Sequence, residues 1–170
     1  MKYVREIINH NLDGLLEIKL DKHVDNRGEI WSIYEDCNIL PKFIEDKITI
    51  SYKNVLRGLH GDYITGKLIS CLHGEIFLAV VDFRQDSDTF LKTKTFHLSD
   101  QKPTMVYVPA GFLNGHLCVS KKCLFFYKWS ERYNGPENQI SIKWNDPTLN
   151  IKWPINNPIL SIRDQEASFI

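Results

Sequence analysis

Hydrophobic and polar positions alternate along this chain in short runs rather than recurring at helical spacing. Such runs cover Lys47–Tyr52, Lys67–Leu72, Glu75–Asp82, Thr93–Leu98, Thr104–Val108, His116–Val119, Cys123–Ser130 and Gln139–Lys143. They are rich in Val, Ile, Phe, Tyr and Thr, whose branched or flat side chains suit a pleated, half-buried surface, so they predict strands. Turn residues punctuate them at His73–Gly74, Pro103, Pro109–Ala110–Gly111 and Asn134–Gly135–Pro136. Many short strands at close spacing predict an all-β sandwich or barrel. Helix is expected only over Asn38–Lys47 and in a short C-terminal piece. Four of the seven prolines lie at position 136 or later, so the tail should wrap the barrel irregularly. No repeat, linker or low-complexity segment interrupts the pattern, and residues 1–170 read as one domain.

Charge narrows the partners. Lys plus Arg number 21 and Asp plus Glu number 21, for a formal net charge of zero. Binding an extended polyanion by bulk charge needs a strongly basic surface, so nucleic acid is not an expected partner. A local cluster of Arg and Lys around one phosphate group is still compatible with that balance. No run approaches the ~18 apolar residues of a membrane span. The stretch MKYVREIINHNLDGLLEIKL lacks an apolar core and a small-residue cleavage site, so the expected location is the cytoplasm. Cys37, Cys71, Cys118 and Cys123 form no CxxC pair or metal-finger spacing, and they read as reduced packing residues.

Three segments carry more chemistry than a barrel needs. In Val55-Leu-Arg-Gly-Leu-His60, Gly58 separates Arg57 from His60, which points to close backbone approach or unusual dihedrals. In Phe125-Phe-Tyr-Lys-Trp129, strand alternation puts Phe125, Tyr127 and Trp129 on one face and Phe126 with Lys128 on the other. The tail carries Asp164 after an apolar anchor. Singly, each has a plain structural reading: a hydrogen-bonded His, a core Tyr, a solvated Asp. Together with Lys67 they make a proton-transfer kit. Epimerisation beside a ketone needs a base for the α-hydrogen, a group to hold the enolate oxygen, and an acid on the opposite ring face. His oriented by a carboxylate suits the first role, Lys the second and Tyr the third.

The ordered blocks Val55–His60, Gly66-Lys67-Leu68, His73-Gly-Glu-Ile-Phe77, Pro109-Ala-Gly-Phe112, Tyr127-Lys128 and Trp144-Asn-Asp-Pro147 go further. With Asp25-Asn-Arg-Gly28 and Leu160-Ser161 through Asp164, the chain resembles the dTDP-4-dehydrorhamnose 3,5-epimerase family over roughly residues 20 to 166. The resemblance implies a cupin-type jelly-roll barrel with short helical or irregular terminal segments, working as a homodimer without a cofactor. It implies His60 as base, Asp164 as its carboxylate, Lys67 near the enolate oxygen and Tyr127 as acid. Arg57 matches an arginine that holds the nucleotide diphosphate, and Arg27 one that reaches the nucleotide from the partner subunit.

The departures from the family pattern shape the substrate expectation. Gly61-Asp62 follows His60 where relatives commonly read Tyr-Gln, and Glu45 and Lys47 stand where relatives carry Gln and Asn. An acidic Glu45 suits the paired donors of a guanine edge, and the His-Gly-Asp variant resembles capsule epimerases acting on GDP-linked 4-keto-6-deoxy-heptoses. That substrate is expected first, with dTDP-4-keto-6-deoxyglucose as the alternative. A 3,4-ketoisomerase and a non-catalytic sugar-nucleotide-binding barrel are the other competing readings. Asn114 replaces a family His, leaving His116 either a barrel residue or a substituted group of the site; both are taken as substrate-binding candidates. With Asn114 in that place and no His-x-His, no metal is expected.

Overall fold

Each of the eight predicted runs overlaps a strand in the computed structural model, which describes residues 4–170. The strands are β1 (Val4–Asn9), β2 (Leu16–Leu20), β3 (His23–Asp25), β4 (Gly28–Ile30), β5 (Glu45–Tyr52), β6 (Leu56–Gly61) and β7 (Lys67–His73). Then come β8 (Glu75–Asp82), β9 (Thr93–Ser99), β10 (Thr104–Val108), β11 (Phe112–Cys118), β12 (Lys122–Trp129) and β13 (Ile140–Ser141). One short helix, α1 (Ile162–Glu166), follows in the tail. β1, β2, β10, β7, β12 and β5 form a six-stranded sheet in that order, and β13, β6, β11, β8 and β9 a five-stranded one. β3 and β4 make a separate hairpin. This is the expected all-β jelly roll.

Three apolar clusters cover both faces of the central strands of the two sheets. Between the sheets lie Ile69, Cys71, Ile76, Leu78, Val106, Cys118, Cys123 and Phe125. The outer face of the five-stranded sheet offers Leu56, Leu59, Phe77, Ala79 and Leu113, and the proline-rich tail covers it with Ile142, Leu149 and Trp153. Ile18, Leu68 and Met105 on the outer face of the six-stranded sheet are covered by Trp31, Ile33, Tyr34, Leu40 and Phe43. Burying a side chain such as Leu59 completely is worth roughly 1.5–3 kcal/mol, so these coverings contribute much of the stability. Cys71, Cys118 and Cys123 are buried and all four cysteines are free, as packing residues would be.

One expectation fails. Asn38–Lys47 is not helical: it is a turn, then extended chain, and Glu45 already opens β5. Pro41 has no N–H to give a helix, and Leu40 and Phe43 serve as anchors on the sheet instead. No helix among the described residues is long and apolar enough to cross a membrane.

Candidate active site

The inner face of β11 changes character along its length. Phe112 and Cys118 face the apolar interior, but between them Asn114 and His116 bring polar groups inward. These two residues line a cavity of about 350 Å³ between the sheets, together with Lys47, Arg57, His60, Lys67, Tyr127, Arg163 and Asp164. A larger depression of about 700 Å³ near Arg84 and Asp86 lies elsewhere on the surface and holds none of them.

A bulge in β6 aims two of these side chains. Arg57 and His60 are three residues apart, an odd offset that would send them to opposite faces of a regular strand. On β11 their partners are His116 and Asn114, only two apart, so β6 carries one extra residue. Gly58 absorbs it at φ +125°, and a Cβ there would stand 2.5 Å from the Cα of Gly115. Leu56 and Leu59 consequently both point outward into the tail cluster, while Arg57 and His60 both point into the cavity.

His60 Nε2 lies 2.6 Å from Asp164 Oδ1, and neither atom has another hydrogen-bond partner. Asp164 comes from α1, where Ser161 caps the helix by accepting from the Asp164 N–H and donating its hydroxyl to Asp164 Oδ2 at 2.8 Å. Burial pushes the Asp164 carboxyl up, but the His60, Ser161 and Gly58 N–H contacts outweigh it and hold the group below its ordinary range. The carboxylate is therefore ionised beside the imidazole.

The opposite wall belongs to the six-stranded sheet. Lys67 on β7 is buried and donates to Asn114 Oδ1 at 2.9 Å and to the His60 carbonyl at 3.3 Å. Burial pushes its ammonium down to about 8. Tyr127 on β12 packs between Phe125 and Trp129, with ring centroids 4.9 and 5.8 Å away. Lys47 sits over Trp129 and Tyr133 at 4.3 and 4.0 Å.

Of the ten residues singled out in the sequence, His60, Asp164, Lys67, Tyr127, Arg57, Lys47, Asn114 and His116 converge on this cavity. Glu45 and Arg27 do not line it. Both Glu45 carboxylate oxygens are engaged, one with Lys47 Nζ at 3.1 Å and one with the Tyr133 N–H at 2.7 Å, so the acid fixes local structure rather than facing a base edge. Arg27 projects from the β3–β4 turn and pairs with Asp25 at 2.6 Å. Sequence reasoning missed Thr49, Tyr133, Gln139, Ser161 and Arg163 in the lining. One signal was available: Ser161-Ile-Arg-Asp164 is a capping pattern, which would have placed Arg163 on the same turn as Asp164. Arg163 is held by Ser141 Oγ at 2.8 Å, and Ser141 pairs with His60 across the β13–β6 ladder.

Two lysines and two arginines thus share the cavity with one carboxylate, an arrangement that favours an anion. Among the described residues no group of three His, Cys, Asp or Glu side chains is placed to hold a metal.

The sequence matches the family model described as dTDP-4-dehydrorhamnose 3,5-epimerase over residues 9–170. It is 34% identical over 168 residues to the dTDP-4-dehydrorhamnose 3,5-epimerase of Methanothermobacter thermautotrophicus, covering 93% of this chain and 90% of that one. The fold superposes with TM-score 0.92 on a 4-keto-6-deoxy sugar epimerase from the novobiocin cluster of Streptomyces spheroides, at 27% identity, covering 98% and 87% of the two chains. A Legionella pneumophila dTDP-6-deoxy-D-glucose-3,5-epimerase, solved with dTDP-4-keto-L-rhamnose, gives 0.91 at 34% identity, covering 96% and 92%.

Proposed function

The chain belongs to the dTDP-4-dehydrorhamnose 3,5-epimerase family, and on that premise we propose that it inverts C3 and C5 of a dTDP-linked 4-keto-6-deoxy sugar. The observation that carries this reading is the pairing across one cavity: His60 with Asp164 on one wall, Lys67 and Tyr127 on the other. His60 takes the proton from the carbon beside the ketone. Its Nε2 is committed to Asp164, so Nδ1 is the nitrogen that receives it, and the carboxylate stabilises the resulting imidazolium. The electron pair moves onto the 4-oxo oxygen, where the Lys67 ammonium meets the developing charge. Collapse of the enolate draws a proton from the Tyr127 hydroxyl onto the opposite ring face. Solvent then restores both groups. No carbon changes oxidation state over the cycle, so the chemistry calls for no redox partner.

Arg57 suits the diphosphate, with Arg163 and Lys47 adding charge at the same cavity. The thymidine-linked substrate is preferred over the guanosine-linked heptose for two reasons. The matched relatives are named for dTDP sugars. Glu45, whose acidity pointed to guanine, stands off the cavity with both oxygens engaged. The working unit in this reading is a homodimer. β5 is an edge strand whose outward Ile48, Ile50 and Tyr52 are exposed, and an uncovered apolar edge invites a second copy. Arg27, away from its own cavity, then serves the partner's site.

Product NMR in deuterated water tests the reaction, using dTDP-4-keto-6-deoxyglucose beside a GDP-linked 4-keto-6-deoxy sugar. Deuterium at C3 and C5 of the thymidine-linked sugar is the expected result. Exchange on neither sugar overturns the reading, and exchange on the GDP sugar alone restores the guanosine-linked one. His60→Asn should cost roughly 10²–10⁴-fold in rate, the range for a positioned general base.

A further inference from the structure

Ser51, at the buried end of the inner face of β5, ties two cavity residues together. Arg57 Nε donates to its Oγ at 3.1 Å, and the same Oγ lies 3.4 Å from His116 Nε2. The His116 ring is itself fixed. It is 4% exposed and stacks on Phe125 with centroids 4.0 Å apart and planes 9° from parallel. Burial first, then the Arg57 charge and the neighbouring His60 ring, push the imidazole down to about 3, so it stands neutral. With Arg57 occupying one side of the Ser51 oxygen, the Ser51 hydroxyl hydrogen is free to turn toward an unprotonated His116 Nε2. The polar chain therefore runs from Arg57 through Ser51 to His116.

We propose that His116 is a positioning residue for the nucleotide clamp: acting through Ser51, its ring orders Arg57 so that the far end of the guanidinium meets the diphosphate. This rests on the reading of Arg57 given above. The physical logic is pre-organisation. A free arginine loses rotamer entropy when it binds an anion, and a guanidinium already pinned at Nε loses less. Nη1 and Nη2 remain to form the paired bonds that suit a phosphate. The chain also rationalises the exchange of residues on β11. Asn114 accepts from Lys67, and the imidazole two residues along serves Arg57.

The test is calorimetric titration of the full-length protein with dTDP, paired with steady-state kinetics. His116→Phe keeps an aromatic ring against Phe125 while removing the acceptor, and Ser51→Ala removes the link. Each should weaken dTDP by roughly three- to tenfold, the size of one ordinary net hydrogen bond acting on the anion indirectly. KM should rise by a similar factor, with kcat changing much less. The double variant should match either single one, because both break the same chain. A merely structural His116 would lower the melting temperature and leave the dTDP affinity of the folded protein intact. Wild-type affinity in His116→Phe and Ser51→Ala, beside a weakened Arg57→Ala, overturns the inference and spares the proposed function. Additive losses in the double variant also overturn it. An Arg57→Ala protein that binds dTDP normally removes the clamp and the inference together. Should His116→Phe fail to fold, Ser51→Ala decides. A wild-type protein that binds no dTDP overturns the nucleotide reading itself.

Discussion

Lys67 holds an ammonium group where ionised side chains are disfavoured, and the pH behaviour of the protein should register it. Burial is the main cause of a pKa near 8; Lys47 and Arg163 push the same way, and Asp62 opposes them. As pH rises through about 8 the group loses its charge, so kcat/KM should fall along an alkaline limb. Stability should move the other way. An unfolded lysine keeps its proton to about 10.5, so between 8 and 10.5 the unfolded state binds more protons and the Lys67 contribution to stability grows with pH. Denaturant titration and a rate profile over one pH series would show the opposed trends, and parallel trends would sink this account. Lys67→Met should cost about 10²–10³-fold in kcat, the range for losing an oxyanion donor. The convergence of His60, Lys67, Tyr127 and Asp164 on one cavity was legible in the sequence because motif order carried them. Glu45 misled because charge alone does not say where a carboxylate points.

Among the secondary-structure elements, β6 and α1 decide whether His60 meets its carboxylate. Gly58→Ala would put a Cβ against the Gly115 backbone in a left-handed conformation, so β6 must lose its bulge or the sheet must part. Loss of activity is expected, with destabilisation of at least about 1–3 kcal/mol for the strained backbone alone, read from chemical unfolding. Ser161→Ala acts more gently. It removes a cap worth about 1 kcal/mol from a five-residue helix and leaves Asp164 Oδ2 without its donor. kcat should drop several-fold, with a loss of about 1 kcal/mol in chemical unfolding; an unchanged kcat would mean Asp164 is held by other contacts. β6 escaped prediction because its two glycines dilute the strand signal. Half of β11 was hidden by Asn114-Gly115, a pair that reads as a turn. Residues chosen for a site break the local pattern that announces an element.

At the scale of the whole molecule, barrel and irregular tail were readable from strand spacing and proline placement. The pairing order was not, since contacts between distant segments such as β7 with β10 leave no local trace. Assembly can be tested by complementation. Arg27→Ala and His60→Asn proteins, each nearly inactive alone, should regain activity when mixed and allowed to exchange subunits, because one mixed dimer site then holds both native residues. No recovery, despite subunit exchange seen by analytical ultracentrifugation, would place Arg27 outside the neighbouring site.

The division of labour between the sheets has an isotopic consequence. His60 hangs from the five-stranded sheet and Tyr127 from the six-stranded one, and packed sheets stand about 10 Å apart, room for a single pyranose ring between donor and acceptor. In the proposed mechanism the hydron that leaves the sugar goes to one wall and its replacement arrives from the other, so the abstracted hydron does not reach the inverted face. Substrate tritiated at an inverted carbon should release its whole label to water within the turnover that inverts it. Retention of any fraction in the epimerised sugar would mean that one group serves both faces.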